Sequence, residues 1–94
     1  MLHHILVKLK ESPADREAFR REVEGVFEGV LAIPGVHSVK VLSNVIDRPN
    51  RYDLMIVISM DRDALPLYDA SEAHLRWKAD YGHLIDKKAI FDCD

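Results

Sequence analysis

The side chains best suited to proton transfer in this sequence are histidines. The 94 residues include five of them, and His4 and His74 are the pair that we single out. An imidazole titrates close to neutral pH, so it can accept or donate a proton under physiological conditions. A tyrosine hydroxyl, such as that of Tyr68, can hydrogen-bond a carbonyl or enolate oxygen. Acid–base chemistry on a small carbonyl compound is one use to which these residue types are suited.

A structural interpretation of the same histidines stands beside the functional one. His4 alternates with Leu2 and Leu6 on one face of a predicted strand, where an unpaired polar ring would be costly. In the structural interpretation, His4 and His74 only hydrogen-bond each other or the backbone beneath the helices. The functional interpretation requires His4 and His74 to lie on the same side of the sheet.

Other kinds of site lack the residues that they need. His3 and His4 are adjacent, so on a strand they point to opposite faces and cannot chelate one ion. With His37 and His83 included, the histidines show no metal-ligand spacing, and we expect no metal site. The lone Cys93 has no disulfide partner and no neighbouring histidine to activate it. Because phosphate-loop, Ser–His–Asp and dinucleotide motifs are missing, we also expect no cofactor.

Alternating and continuous apolar segments predict four strands that must position these residues. They cover Leu2–Lys10, Val36–Ile46, Arg51–Met60 and Lys87–Asp92. The unbroken run Leu54-Met55-Ile56-Val57-Ile58 is typical of a central strand.

Helical patterns fill the spaces between the strands. Ser12 followed by Pro13 predicts the start of a helix that ends before Ile33-Pro34-Gly35. Inside this helix, Gly25 and Gly29 are expected to allow close packing of another element.

A broken helix is predicted between the third and fourth strands. Pro66 is tolerated only in a first turn, so this segment should begin at or after Asp63. Ser71 caps its second part, which runs through Trp77 to Gly82. The order β-α-β-β-(broken α)-β predicts an α+β, ferredoxin-like fold with four antiparallel strands and helices on one face.

Helices on one face leave the other face of the sheet uncovered. The first and third strands are apolar on both faces, and a large exposed apolar face marks an interaction site. A second copy packed sheet to sheet would form a two-fold barrel, so we predict a homodimer. One domain spanning residues 1–94 is small enough to gain stability from such a partner.

Composition and charge exclude several classes of protein. With 48% hydrophobic and 31% charged residues, the chain has the composition of a folded protein and not of a disordered one. Its 13 basic and 16 acidic residues are mixed along the chain, without the basic footprint of a nucleic-acid binder. Apolar runs are too short to span a membrane. The first residues lead directly into a strand without a signal pattern, so we expect a cytoplasmic protein.

Several segments together resemble one known family. Its first-strand pattern, x-H-hydrophobic-x-hydrophobic-x-K-x-K-E, is similar to Leu2-His3-His4-Ile5-Leu6-Val7-Lys8-Leu9-Lys10-Glu11. Other parts of the family are similar to Ile33-Pro34-Gly35-Val36, Tyr52-Asp53-Leu54, Leu65 through His74, and Phe91-Asp92. This is the stress-responsive dimeric α/β-barrel (Dabb) family, and the resemblance covers essentially the whole chain. It implies a ferredoxin-like fold and a homodimeric barrel.

The resemblance also implies a set of site residues. A plant polyketide cyclase of this fold uses a first-strand histidine, a tyrosine in the broken helix and a histidine six residues later. These match His4, Tyr68 and His74 here. The chain departs from the family at Ser71-Glu72, where the family has His-Pro. Other pocket histidines and tyrosines of the cyclase are also missing.

Further residues are expected around the same pocket. We expect its ligand to contact Leu6, Leu54, Trp77 and Tyr81. Trp77 and Tyr81 share a helix face, an arrangement that core packing would also produce. Some members of the family bind Mg²⁺ through backbone carbonyls that would correspond to Ile33–Val36.

Three functions are consistent with these expectations. The first is binding of a small, partly apolar ligand in a pocket between sheet and helices. The second is a cofactor-free acid–base enzyme, similar to a polyketide cyclase, isomerase or monooxygenase, that acts on a small carbonyl compound. The third is a structural protein whose pocket is vestigial. A pocket of roughly 300 Å³ or more that holds both His4 and His74 would favour the first two over the third.

Overall fold

The computed structural model of the protein describes residues 1–94. Its four strands are β1 (Leu2–Leu9), β2 (Val36–Ser43), β3 (Leu54–Met60) and β4 (Ile85–Cys93). They form one antiparallel sheet in the order β2-β3-β1-β4. The helices are α1 (Arg16–Phe27), α2 (Leu65–Asp69) and α3 (Glu72–Tyr81). The predicted α+β, ferredoxin-like architecture is confirmed.

The hydrophobic core lies between the helices and one face of the sheet, which we call the inner face. Every second residue of β1 and β3 is buried there, and the residues between them point to the outer face. Phe27 of α1 and Trp77 of α3 are both buried, and their rings meet edge-on with centroids 5.1 Å apart. Side chains alternate between the two faces along a strand. Burial of one alternate set of residues against the helices therefore decides which side chains of the sheet point to the inner face and which to the outer face.

The first helix begins later than the sequence predicted. Ser12 and Pro13 precede it, and the N-cap is Asp15, whose carboxylate accepts a hydrogen bond from the Ala18 N–H at 3.0 Å. Asp caps a helix as well as Ser does, so the sequence carried two suitable caps within one turn. After Phe27 the chain continues as a 3₁₀ turn to Ala32, and the predicted end before the Pro-Gly pair is correct.

The broken helix follows the prediction closely. A 3₁₀ turn over Arg62–Ala64 starts one residue before the predicted limit, but α2 itself begins at Leu65 with Pro66 in its first turn. Ser71 caps α3 by accepting a hydrogen bond from the His74 N–H at 3.2 Å. None of the helices combines the length and the apolar character needed to cross a membrane.

The end of β2 and the start of β3 differ from the prediction. Residues 44–53 form a loop, so β2 ends before Val45 and β3 begins only at Leu54. The Asn44 side chain causes the departure of β2, since its amide hydrogen-bonds both the N–H and the carbonyl of Ile46 and so replaces ladder partners.

Only one of the two helical glycines has the close neighbour that we expected. A Cβ at Gly29 would lie 3.3 Å from the Ala73 Cβ of α3, whereas a Cβ at Gly25 would meet open space. A tighter constraint falls on Gly35, which has φ +87° and leads into β2. That left-handed conformation is strained for any residue with a side chain.

A partly buried hydrogen bond joins α1 to α3 and makes the stability of the fold sensitive to alkali. The Tyr81 hydroxyl donates to Glu22 Oε1 at 2.7 Å. Burial, followed by this hydrogen bond to a carboxylate, raises the pKa of Tyr81 to about 12. The folded protein therefore holds the Tyr81 proton more tightly than the unfolded chain, where a tyrosine has a pKa of about 10.

We expect the stability supplied by the neutral Tyr81 hydroxyl to be complete below about pH 10 and to disappear as the pH rises through about 12. The Tyr81→Phe variant should be less stable at neutral pH and should lose less further stability above pH 10. Urea unfolding between neutral and alkaline pH measures both effects, and Tyr52→Phe serves as the control. Parallel pH profiles for the wild type and Tyr81→Phe would contradict this account.

Candidate functional site

A pocket of about 280 Å³ opens beside the inner face of the sheet, next to α2 and α3. Its walls include His3, Ile5, Tyr68, His74, Trp77 and Asp92. The pocket exists because the helices leave the edge strand β4 partly uncovered, so that the inner-face residue Ile90 is 50% exposed. This volume lies just below the roughly 300 Å³ at which small-molecule sites usually begin.

A histidine–aspartate pair forms one wall of the pocket. His3 and Asp92 are directly opposite each other on β1 and β4, and His3 Nδ1 lies 2.5 Å from Asp92 Oδ1. His3 is only 5% exposed. An ionised carboxylate only accepts hydrogen bonds, so the Nδ1 proton is donated to Asp92. In the neutral ring Nε2 then carries the lone pair, and Asp92 fixes both the tautomer and the orientation of His3.

Tyr68 of α2 lies between the two histidines of the pocket. Its ring centroid is 5.4 Å from that of His3 and 4.8 Å from that of His74. Tyr68 is 1% exposed, and its hydroxyl has no hydrogen-bond partner. Burial, with a smaller contribution from the Asp69 carboxylate, raises the pKa of Tyr68 far above its ordinary value. The hydroxyl therefore stays protonated, and it can donate a hydrogen bond to the oxygen atom of a ligand.

His74 is positioned by the junction between α2 and α3. Its Nδ1 lies 2.8 Å from the Asp69 carbonyl oxygen, and its backbone N–H is held by the Ser71 cap. Because a carbonyl only accepts, Nδ1 donates the proton and Nε2 is the basic nitrogen of the neutral ring. The replacement of the family's His-Pro by Ser71-Glu72 thus leaves a firmly held backbone before His74.

The expected convergence of His4 with Tyr68 and His74 is wrong, because His4 points to the outer face. Its Nδ1 donates to the Phe91 carbonyl oxygen at 3.0 Å, and its ring meets the Phe91 ring edge-on at 6.1 Å. His3 occupies the place that we expected for His4. The sequence contained a signal for this. In the family pattern the histidine stands five positions before the first lysine, and five positions before Lys8 is His3.

Of the four residues expected to contact a ligand, only Trp77 lines this pocket. Leu6 lies on the outer face beside Met55. Leu54 is buried next to Val7, toward the other end of the sheet. Tyr81 is buried one helical turn beyond Trp77, where its hydroxyl is already used by Glu22. Periodicity in the sequence shows which residues share a face of a helix or strand. It does not show which residues on that face lie near the pocket.

The arrangement combines one neutral donor with two basic nitrogens. Tyr68 can donate to a carbonyl oxygen, and either Nε2 can accept a proton from an adjacent carbon or hydroxyl group. Trp77 and Ile5 supply an apolar wall. No three His, Cys, Asp or Glu side chains lie close enough together to hold a metal ion.

Solved structures of other proteins have folds similar to that of the whole chain. A dimeric protein of unknown function from Bacteroides fragilis is 14% identical, with a TM-score of 0.77 over 99% of this chain and 93% of that one. A dabb family protein from Mesorhizobium loti is 19% identical, with a TM-score of 0.73 and the same coverage. Both are described as having a ferredoxin-like fold. The chain has that fold.

The resemblance drawn from the sequence is thus confirmed at the level of the fold. A third ferredoxin-like neighbour, from Bacteroides thetaiotaomicron, carries the provisional description of an antibiotic biosynthesis monooxygenase. It is 18% identical, with a TM-score of 0.72 over 100% of this chain and 87% of that one. No protein-family model and no curated protein matches the chain.

We expect Tyr68→Phe to raise the free energy of unfolding by about 1 kcal/mol, because it removes a buried hydroxyl that has no partner. Urea unfolding at neutral pH measures the change. Tyr81→Phe is the matched control, since it removes a hydroxyl that does have a partner and should lower stability. A clear loss of stability in Tyr68→Phe would mean that its hydroxyl is satisfied in the free protein.

Proposed function

We propose that the chain is a homodimeric member of the stress-responsive α/β-barrel family that binds a small, partly apolar ligand in the pocket of His3, Tyr68 and His74. The observation that carries this proposal is the buried, unpartnered hydroxyl of Tyr68, whose ring contacts both imidazoles of the pocket. Buried polar groups in native proteins nearly always have partners, so an isolated donor in a pocket wall favours an oxygen atom of a ligand as that partner.

A second candidate, an acid–base enzyme acting on a small carbonyl compound, is favoured by the His3–Asp92 pair. An aspartate bonded to Nδ1 is the arrangement that orients an imidazole for proton transfer at Nε2. The base would remove a proton from the carbon beside the carbonyl, and the enolate oxygen would accept the Tyr68 hydrogen bond. Return of a proton from the base to that carbon would regenerate the ketone, and a base that exchanges its proton with water would leave a solvent proton there.

Acetophenone is a suitable probe, because it combines an aromatic ring, which suits the indole of Trp77, with a carbonyl oxygen that can accept a hydrogen bond from Tyr68. Trp77 is the only tryptophan, so its indole N–H gives one resonance that reports on the pocket. We expect saturable shifts of this resonance in the wild type, weakened in His3→Gln, His74→Gln and Asp92→Asn. His4→Gln is the matched control and should bind normally, since His4 lies on the outer face.

Deuterium uptake from solvent into the methyl group of acetophenone separates the two candidates. Exchange accelerated by the wild type, and reduced about 10²–10⁴-fold in His3→Gln or His74→Gln, would identify an acid–base enzyme. Binding without exchange would identify a binding protein. If neither acetophenone nor other small ketones bind, the pocket is vestigial and the proposal is wrong.

The homodimer is supported by the apolar character of the outer face. Leu2 and Leu6 of β1 lie there beside Phe91 of β4, and Phe91 is 62% exposed. No helix covers this side, and the neighbour from Bacteroides fragilis is described as dimeric. Packing two outer faces together would remove these side chains from water.

We expect the wild type to sediment as a dimer at micromolar concentration and Phe91→Glu to sediment as a monomer. The substitution would place a charge in the centre of an apolar interface without touching the inner core. Leu75→Glu alters an equally exposed leucine on α3 and should leave the dimer intact. A monomeric wild type, or dissociation of both variants alike, would count against this interface.

A further inference from the structure

A second concave surface, which we call the cationic cleft, lies at the far end of β1. It has a volume of about 280 Å³ and lies between the end of β1, the start of α1 and the loop of residues 44–53. Five basic side chains line it: Lys8, Lys10, Arg16, Arg48 and Arg51. His3 and Lys8 are five residue steps apart along β1, or roughly 17 Å, so the cleft is distinct from the pocket that contains His3.

The basic side chains of the cleft are almost without acidic partners. Only Arg16 approaches a carboxylate, that of Asp47, at 3.9 Å. The other carboxylate in the cleft, Asp53, accepts a hydrogen bond from the Leu9 N–H at 2.7 Å. Elsewhere Arg20 holds two glutamates within 2.9 Å. Since acidic residues outnumber basic ones in this chain, the concentration of unpaired positive charge here is a local feature.

The cleft is held in shape by the strand that it borders. Lys8 Nζ donates to the carbonyl oxygens of Pro49 and Arg51, at 3.2 and 2.7 Å. The Asp53 N–H donates to the Val7 carbonyl at 2.8 Å. These hydrogen bonds hold the loop of residues 44–53 against β1. Arg48 and Arg51 therefore lie on a loop whose backbone is fixed to the sheet.

An unused hydroxyl lies beneath the cleft. A narrow void of about 10 Å³ shares Arg16 and Asp53 with the cleft and is lined by Ser43, whose Oγ is buried without a partner. The cleft thus gathers like charges that repel one another, and a free hydroxyl lies in the void that adjoins it. An oxyanion would relieve that repulsion and accept several charge-assisted hydrogen bonds.

We propose that the cationic cleft binds the oxyanion group of a small molecule, a phosphate or a carboxylate. Arg48 and Arg51 would supply paired N–H donors that match two oxygens of such a group, and Lys10 would supply a compact charge. The site is independent of the histidine pocket and of the function proposed for it.

Titration of the ¹⁵N-labelled protein with inorganic phosphate, pyrophosphate and citrate tests the proposal, with KCl at matched ionic strength as the reference. We expect saturable shifts at the amides of Leu9, Lys10 and Arg51 for at least one anion. Stronger binding of phosphate or pyrophosphate would assign a phosphate ligand, and stronger binding of citrate would assign a carboxylate.

The Arg48→Gln and Arg51→Gln double variant should weaken that binding by at least about tenfold. Arg76→Gln removes the same type of charge from α3 and should change it little. Shifts that KCl reproduces, shifts that do not saturate, or equal weakening in Arg76→Gln would overturn the proposal. Folding of the variants is checked by their unchanged core resonances.

Discussion

Strand β1 carries a histidine toward each of its faces, and the helices cover only one of them. His3 is therefore buried with Ile5 and Val7, while His4 lies with Leu2 and Leu6 on the outer face. A shift of one residue in β1 would exchange the two histidines and expose the core at the same time. The hydrophobic effect thus keeps His3 in the pocket, because burial of Ile5 and Val7 in the core also places His3, on the same face of β1, on the inner side of the sheet.

The pocket itself follows from the position of β4 at the edge of the sheet. The helices cover β1 and β3 fully but leave Ile90 of β4 half exposed, which opens a space where Asp92 can reach His3. Tyr68 closes the inner end of that space from α2. A central strand could not supply such a partner, because its inner face is filled by the helices.

Much of the fold could be predicted because it rests on local signals. The Ser71 cap, the first-turn position of Pro66 and the alternation of β1 were all visible in the sequence, and the structure has them. Local signals did not show which face of β1 packs against the helices, and this decides which histidine lines the pocket. Since β1 is apolar on both faces, alternation alone could not say whether the set with His3 or the set with His4 meets the helices. The pairing of His3 with Asp92 also joins residues from opposite ends of the chain, which no periodicity reveals.

Two buried side-chain oxygens in this chain have no partner, those of Tyr68 and Ser43. Tyr68 lines the pocket at one end of β1, and Ser43 lines the small void that adjoins the cationic cleft at the other end. An unsatisfied buried hydroxyl costs about 1–3 kcal/mol, an appreciable share of the stability of a domain this small. A chain that caps its helices with Asp15 and Ser71 and satisfies its buried Tyr81 does not leave such groups open through poor packing in general. The cost falls beside the two surfaces for which we propose ligands, and an oxygen atom of such a ligand would offset it.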